Sequence, residues 1–119
     1  MSFLSGPPTI EYFKSSPEIL EDGQEGSISC RVIALPKAKV SLYKKSGSEW
    51  KLIDNPSRES KGNSASAAFK LTKVNIDKDF GDYKCIAENE LKNQTSDVLS
   101  VKVTKAGKGK FEHLKFLWI

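Results

Sequence analysis

Apolar residues recur at every second position in several short runs separated by turn formers, and no long run repeats at helical spacing. That pattern predicts strands throughout. After Pro7 and Pro8 an extended segment runs Ile10-Glu11-Tyr12-Phe13-Lys14, and Ser16-Pro17 breaks it before Ile19 and Leu20, since the residue ahead of a proline disfavours helix and bends the path. Gly23 to Gly26 predict a turn. Residues Ser27 to Val32 then alternate, which puts Ile28, Cys30 and Val32 on one face that should be buried. Leu35-Pro36 ends this strand, Val40 and Leu42 make the next, and Lys44 to Ser48 supply a turn before Trp50, Leu52 and Ile53. Asp54 to Asn63 reads as a polar, turn-rich stretch. Ala67, Phe69 and Leu71 alternate again, a loop passes through Asp79 and Gly81, and Tyr83, Cys85 and Ala87 follow two apart. Asn89 to Gln94 is turn chemistry, and the last strand puts Leu99, Val101 and Val103 on one face with Ser100 and Lys102 on the other. Seven or so short strands with mostly short turns predict an all-β fold, two antiparallel sheets packed face to face.

The chain has 119 residues, enough for one domain of the usual size. With 38% hydrophobic and 29% charged residues it is too apolar for a disordered tail and too polar for a membrane span. No stretch approaches the roughly 20 apolar residues of a transmembrane helix, and Met1 to Leu4 is too short for a signal peptide, so a secreted origin would make this sequence a fragment. The single histidine, His113, and two cysteines leave no ligand set for a structural zinc and little to activate a serine or cysteine nucleophile. No catalytic residue, cofactor or metal site is expected.

The formal charge is +4, but Lys108, Lys110 and Lys115 against Glu112 place +2 of it in the last segment, leaving the body nearly balanced. Lys37, Lys39, Lys44 and Lys45 could form a basic patch. The strand between them would hold Lys39 and Lys44 roughly 17 Å apart, and a solvated surface is preferred over a site for nucleic acid or heparin.

Cys30 and Cys85 lie on strands expected to face inward, with 54 residues between them. A bridge at that separation would pin two sheets together and contribute about 4 kcal/mol on the chain-entropy model; two buried free thiols are the alternative. Asp79-Phe80-Gly81-Asp82-Tyr83-Lys84-Cys85 fits the pattern D-x-G-x-Y-x-C, and here the sequence resembles an immunoglobulin domain, most similar to the intermediate set. The resemblance runs from Pro8 to Val103 and is supported by Glu21-Asp22-Gly23, by Pro36 after the Cys30 strand, by Val40 to Lys44 and by Ala87-Glu88-Asn89. It implies a two-sheet sandwich in which Tyr83 packs in the core and its hydroxyl bonds the backbone a few residues upstream. It also implies that Gly81 supplies a turn conformation a side chain would strain. The family's usual tryptophan, about a dozen residues after the first cysteine, is replaced by Leu42, with Phe69, Leu71 or Tyr83 as candidates to fill the space. Val74 stands five residues before Asp79 where four are usual, implying a slightly longer loop.

Asp79-Phe80-Gly81 also spells the metal-binding triplet of protein kinases, but no glycine-rich loop or H-R-D accompanies it. Asn93-Gln94-Thr95 is a glycosylation sequon in an expected hairpin turn, or a chance triplet. Trp50, near a sheet edge, would either anchor a partner or pack over the edge. Ala106 to Lys110 reads as a flexible linker, and Phe111 to Ile119 places six apolar residues in nine positions, Phe116 and Trp118 among them. Such a tail is expected to dock on something, a neighbouring copy's sheet edge included, to stay disordered or to make the chain sticky, with a cloning remnant or the start of a truncated next element as the alternative.

The expected organisation is an N-terminal extension at 1–7, an immunoglobulin domain at 8–105 and a linker with an apolar tail at 106–119. The resemblance implies a non-catalytic binding or adhesion module of a multidomain cell-surface or secreted protein, with an intracellular structural module of a muscle or cytoskeletal protein as the alternative. The partner is expected to be a protein, another copy of the chain included; nucleic acid, heparin and direct membrane insertion are not expected.

Overall fold

The computed structural model describes residues 7–105, so the expectations placed on His113, Phe116, Trp118 and the rest of 106–119 lie outside the described residues. In chain order the strands are β1 (Thr9–Ser16), β2 (Ile19–Glu21), β3 (Gly26–Ile33), β4 (Ala38–Ser46), β5 (Glu49–Leu52), β6 (Ser57–Lys61), β7 (Ser64–Leu71), β8 (Gly81–Asn89) and β9 (Gln94–Thr104). They form a four-stranded sheet in the order β1-β3-β7-β6 and a five-stranded sheet in the order β2-β9-β8-β4-β5. The fold is the expected all-β two-sheet sandwich.

Two strands escaped the sequence reading, and one pairing differs from it. The three residues of β2 pair with β9 in parallel, so the five-stranded sheet is not wholly antiparallel. The chain reaches β2 by leaving the first sheet at the cis peptide Ser16-Pro17, where Ser15 Oγ donates to the Glu18 carbonyl at 2.9 Å across the bend. Strand β6 lies inside the supposed loop at 54–63. All five of its residues are exposed, so no apolar alternation marks it, and pairing with β7 alone defines it. The turn expected over 44–48 shrinks to Gly47 and Ser48, because Lys44, Lys45 and Ser46 continue β4 and pair with β5. Gly47 takes φ 64°, a conformation that suits glycine at the first position of a two-residue hairpin loop.

The core has two parts. One surrounds Cys30 and Cys85 with Val32, Val40, Leu42, Ala67 and Ala87; the other surrounds Tyr83 with Leu20, Ile28, Leu71, Val74 and Val101. Phe13, Ile53 and Phe69 pack against both. Leu42 is 1% exposed, so the position that usually carries tryptophan is closed over. Each large aliphatic side chain removed from water in this way contributes about 1.5–3 kcal/mol.

The longer loop ahead of Gly81 is folded on itself and on the β2–β3 turn. Asn75 N–H donates to Asp79 Oδ2 at 2.6 Å, and Asp79 N–H donates to the Asn75 carbonyl at 2.8 Å. Val74 N–H donates to Gln24 O at 2.8 Å, Gly23 N–H to Val74 O at 2.7 Å, and Ile76 N–H to Asp22 Oδ1 at 2.8 Å. At the opposite flank Arg58 of β6 donates from its guanidinium to the Val40 carbonyl of β4, crossing between sheets. An exposed ion pair joins Arg31 and Glu11 at 2.9 Å on β3 and β1 and adds little stability.

Candidate protein interface

The five-stranded sheet turns one face to the core and the other outward. On β8 the buried residues are Tyr83, Cys85, Ala87 and Asn89, which leaves Lys84 and Ile86 on the outer face by strand alternation. Register then builds a row across four strands: Leu52 opposes Tyr43, Tyr43 opposes Lys84, and Lys84 opposes Val98. Leu52 and Val98 are 54% and 52% exposed. Trp50 stands beside this row on the edge strand, opposite Lys45. Lys84 Nζ lies 4.6 Å and Lys45 Nζ 5.8 Å from its ring centre, so two cations meet the indole face. Trp50 is half-buried by these neighbours while its edge strand stays open to solvent.

Behind this face stands a rigid support. Cys30 of β3 and Cys85 of β8 are bridged, with Cα atoms 6.4 Å apart, tying the two sheets together. The Tyr83 hydroxyl donates to the Asp79 carbonyl at 2.8 Å, and Tyr83 is fully buried. Burial, reinforced by the Asp79 charge, pushes its hydroxyl pKa well above the ordinary tyrosine value. Gly81, between Asp79 and Tyr83, has φ 119°. Lys44 Nζ donates to the Phe80 carbonyl at 3.0 Å and sits 5.1 Å from the Tyr83 ring centre, closing the corner from β4. Leu42 is the register partner of Cys85.

A family model for the immunoglobulin domain matches residues 7–89. The chain belongs to the immunoglobulin domain family. Among solved structures the domain is similar to titin M4, at 22% identity and a TM-score of 0.60, covering 85% of this chain and 99% of that one. It is similar to the complex of Dpr2 Ig1-Ig2 with DIP-Theta Ig1-Ig3, at 20% identity and a TM-score of 0.64, covering 84% of this chain and 33% of that one. A third likeness is to the N-terminal Ig1-2 module of the Drosophila receptor protein tyrosine phosphatase DLAR, at 19% identity and a TM-score of 0.60, covering 86% and 51%. This immunoglobulin domain thus spans nearly all of titin M4 but only a third to a half of the other two.

Asn93 of the sequon lies between β8 and β9, half-buried. Its backbone is fixed there, since Asn93 N–H donates to Asn89 Oδ1 at 3.1 Å and its carbonyl accepts from Asn89 N–H at 3.1 Å. Thr95 Oγ1 donates to the Pro8 carbonyl at 2.6 Å. Among the described residues of the immunoglobulin domain, no group of three or more histidine, cysteine or acidic side chains could hold a metal ion. The sequence reading named Trp50 for a partner but passed over Tyr43, Leu52, Lys84 and Val98. For Tyr43 and Lys84 the signal is strand alternation, each lying one position from a buried neighbour, whereas Leu52 and Val98 have only half-buried or exposed neighbours, and register alone brings the four into line.

Proposed function

We propose that this immunoglobulin domain is a non-catalytic protein-binding module of a multidomain cell-surface or secreted protein, meeting its partner through the outer face of the five-stranded sheet. The observation that carries the reading is the row Leu52–Tyr43–Lys84–Val98 with Trp50 beside it. Aromatic and aliphatic groups on a flat, bridged sheet are the material of interface anchors. A bridged cysteine pair and a sequon support an oxidising, secretory setting. The Dpr2 structure is itself a complex with a second protein, which supports partner binding by domains of this shape. The domain proper is placed at 8–105. The intermediate set is supported by a sheet in which β9, β8 and β4 are flanked by the short β2 on one side and a single further strand, β5, on the other, between the constant and variable patterns.

The test is to stain intact cells from the protein's own source with a fluorescent tetramer of the domain and of a Tyr43→Ser, Trp50→Ser, Leu52→Ser variant. Staining by the first alone is expected; equal staining by both moves binding to another surface. The likeness to titin M4 favours a second reading, an intracellular structural module with both cysteines reduced. Free thiols counted on protein from its own source separate the two: zero is expected, and two would establish the second reading.

A further inference from the structure

The outer face is not neutral. Its acidic groups stand toward its ends: Asp82 is in register with Ser100, whose hydroxyl donates to Asp82 Oδ1 at 2.8 Å, and Glu88 is in register with Lys39. Between them the row from Leu52 to Val98 and the next row, Ser41–Ile86–Ser96, contain no carboxylate. Lys84 sits in the middle of the first row, and Lys45 flanks Trp50 beside it. The face therefore carries two ammonium groups over the indole, Lys84 at its apolar centre and Lys45 toward the Asp82 end.

We propose that the partner of this face is an acidic protein surface, with carboxylates flanking an apolar side chain, and not a second copy of the domain; this rests on the outer face being the binding surface. A closed dimer with twofold symmetry places the same patch on both sides. Centred on this row, it would bring Lys84 toward the Lys84 of its copy, and like charges across an interface weigh heavily against association. A surface whose glutamates or aspartates meet Lys84 and Lys45 gains charge-assisted hydrogen bonds while Leu52, Tyr43 and Val98 supply the buried apolar area. The cation–π geometry adds order, since the two ammonium groups are positioned before the partner arrives.

The domain itself supplies the probe. A Lys45→Glu, Lys84→Glu variant has the same shape and apolar row but the opposite sign, and Lys84→Glu alone serves as a milder version should the double variant unfold early in a thermal scan. Sedimentation equilibrium is run on wild type, on variant and on their equimolar mixture. Expected are two monomers that form a mixed dimer at least about tenfold tighter than either self-pairing, weakened by salt and abolished by Tyr43→Ser in both chains. Wild type pairing with itself as tightly as the mixture overturns the acidic partner while leaving the face as the binding surface. A mixture that stays monomeric up to about 0.1 mM overturns both.

Discussion

Leu42 stands directly opposite Cys85 across the β4–β8 pair, so a branched aliphatic side chain flanks the bridge where related domains use an indole. Phe13, Ile53 and Phe69 each pack against both halves of the core, and Leu42 is itself 1% exposed. Leu42→Ala should cost about 2–4 kcal/mol in urea unfolding, through lost burial and the void left behind. Leu42→Trp should destabilise by about 1–3 kcal/mol because the site is already full; a gain in stability would show that it is not.

The bridge joins residues 55 apart in sequence. Replacing both cysteines by alanine should lower stability by about 4 kcal/mol on the chain-entropy model. Denaturant midpoints for oxidised, reduced and double-alanine protein check this, and the reduced form is expected to fall with the double variant.

Tyr83 makes stability depend on pH at the alkaline end. Its hydroxyl is held above its ordinary value by burial and by Asp79, whereas in the unfolded chain a tyrosine loses its proton near pH 10, at about its unperturbed pKa. Above that pH the unfolded state binds fewer protons than the native one, so stability is intact below about pH 10 and falls as pH rises, by up to about 1.4 kcal/mol per unit for this group. Tyr83→Phe should flatten that fall. It should also cost about 1–2 kcal/mol at pH 7 by leaving the Asp79 carbonyl without its donor. Urea unfolding of both proteins from pH 7 to 11 reads the two effects separately.

Gly81 offers a cleaner test of backbone strain. A Cβ there would meet Lys44 Nζ at 3.6 Å, ordinary contact, but φ is 119°. Gly81→Ala should therefore cost about 1–3 kcal/mol from conformation alone. Lys44→Met in the Gly81→Ala background should leave that penalty in place; its disappearance would mean that crowding was the cause.

Most of the sandwich was legible because burial leaves a period-two trace. Ile28, Cys30 and Val32, or Leu99, Val101 and Val103, alternate inward just as their strands run. The motif from Asp79 to Cys85 was legible for another reason, since its turn, ring and bridge each demand a particular residue. What escaped reading lacks such demands. Strand β6 has no buried residue to mark it, and β2 is three residues long and partnered by a strand more than 80 positions away. Most of the candidate interface was hidden likewise: Trp50 stands out as a large aromatic, whereas Leu52, Tyr43, Lys84 and Val98 become neighbours only through register.

Strand β5 covers β4 only from Tyr43 to Ser46, with Ile53 N–H reaching the Leu42 carbonyl as the chain departs. The backbone from Ala38 to Ser41 is thus a short open border, the kind of rim along which one polypeptide can recruit another into a growing cross-β stack. Arg58 occupies the Val40 acceptor on that border. Its guanidinium occupies a partly buried carbonyl that an incoming strand would need and sets a positive charge where successive copies would have to stack. That border is thus guarded by a side chain contributed by a fully exposed, wholly polar strand.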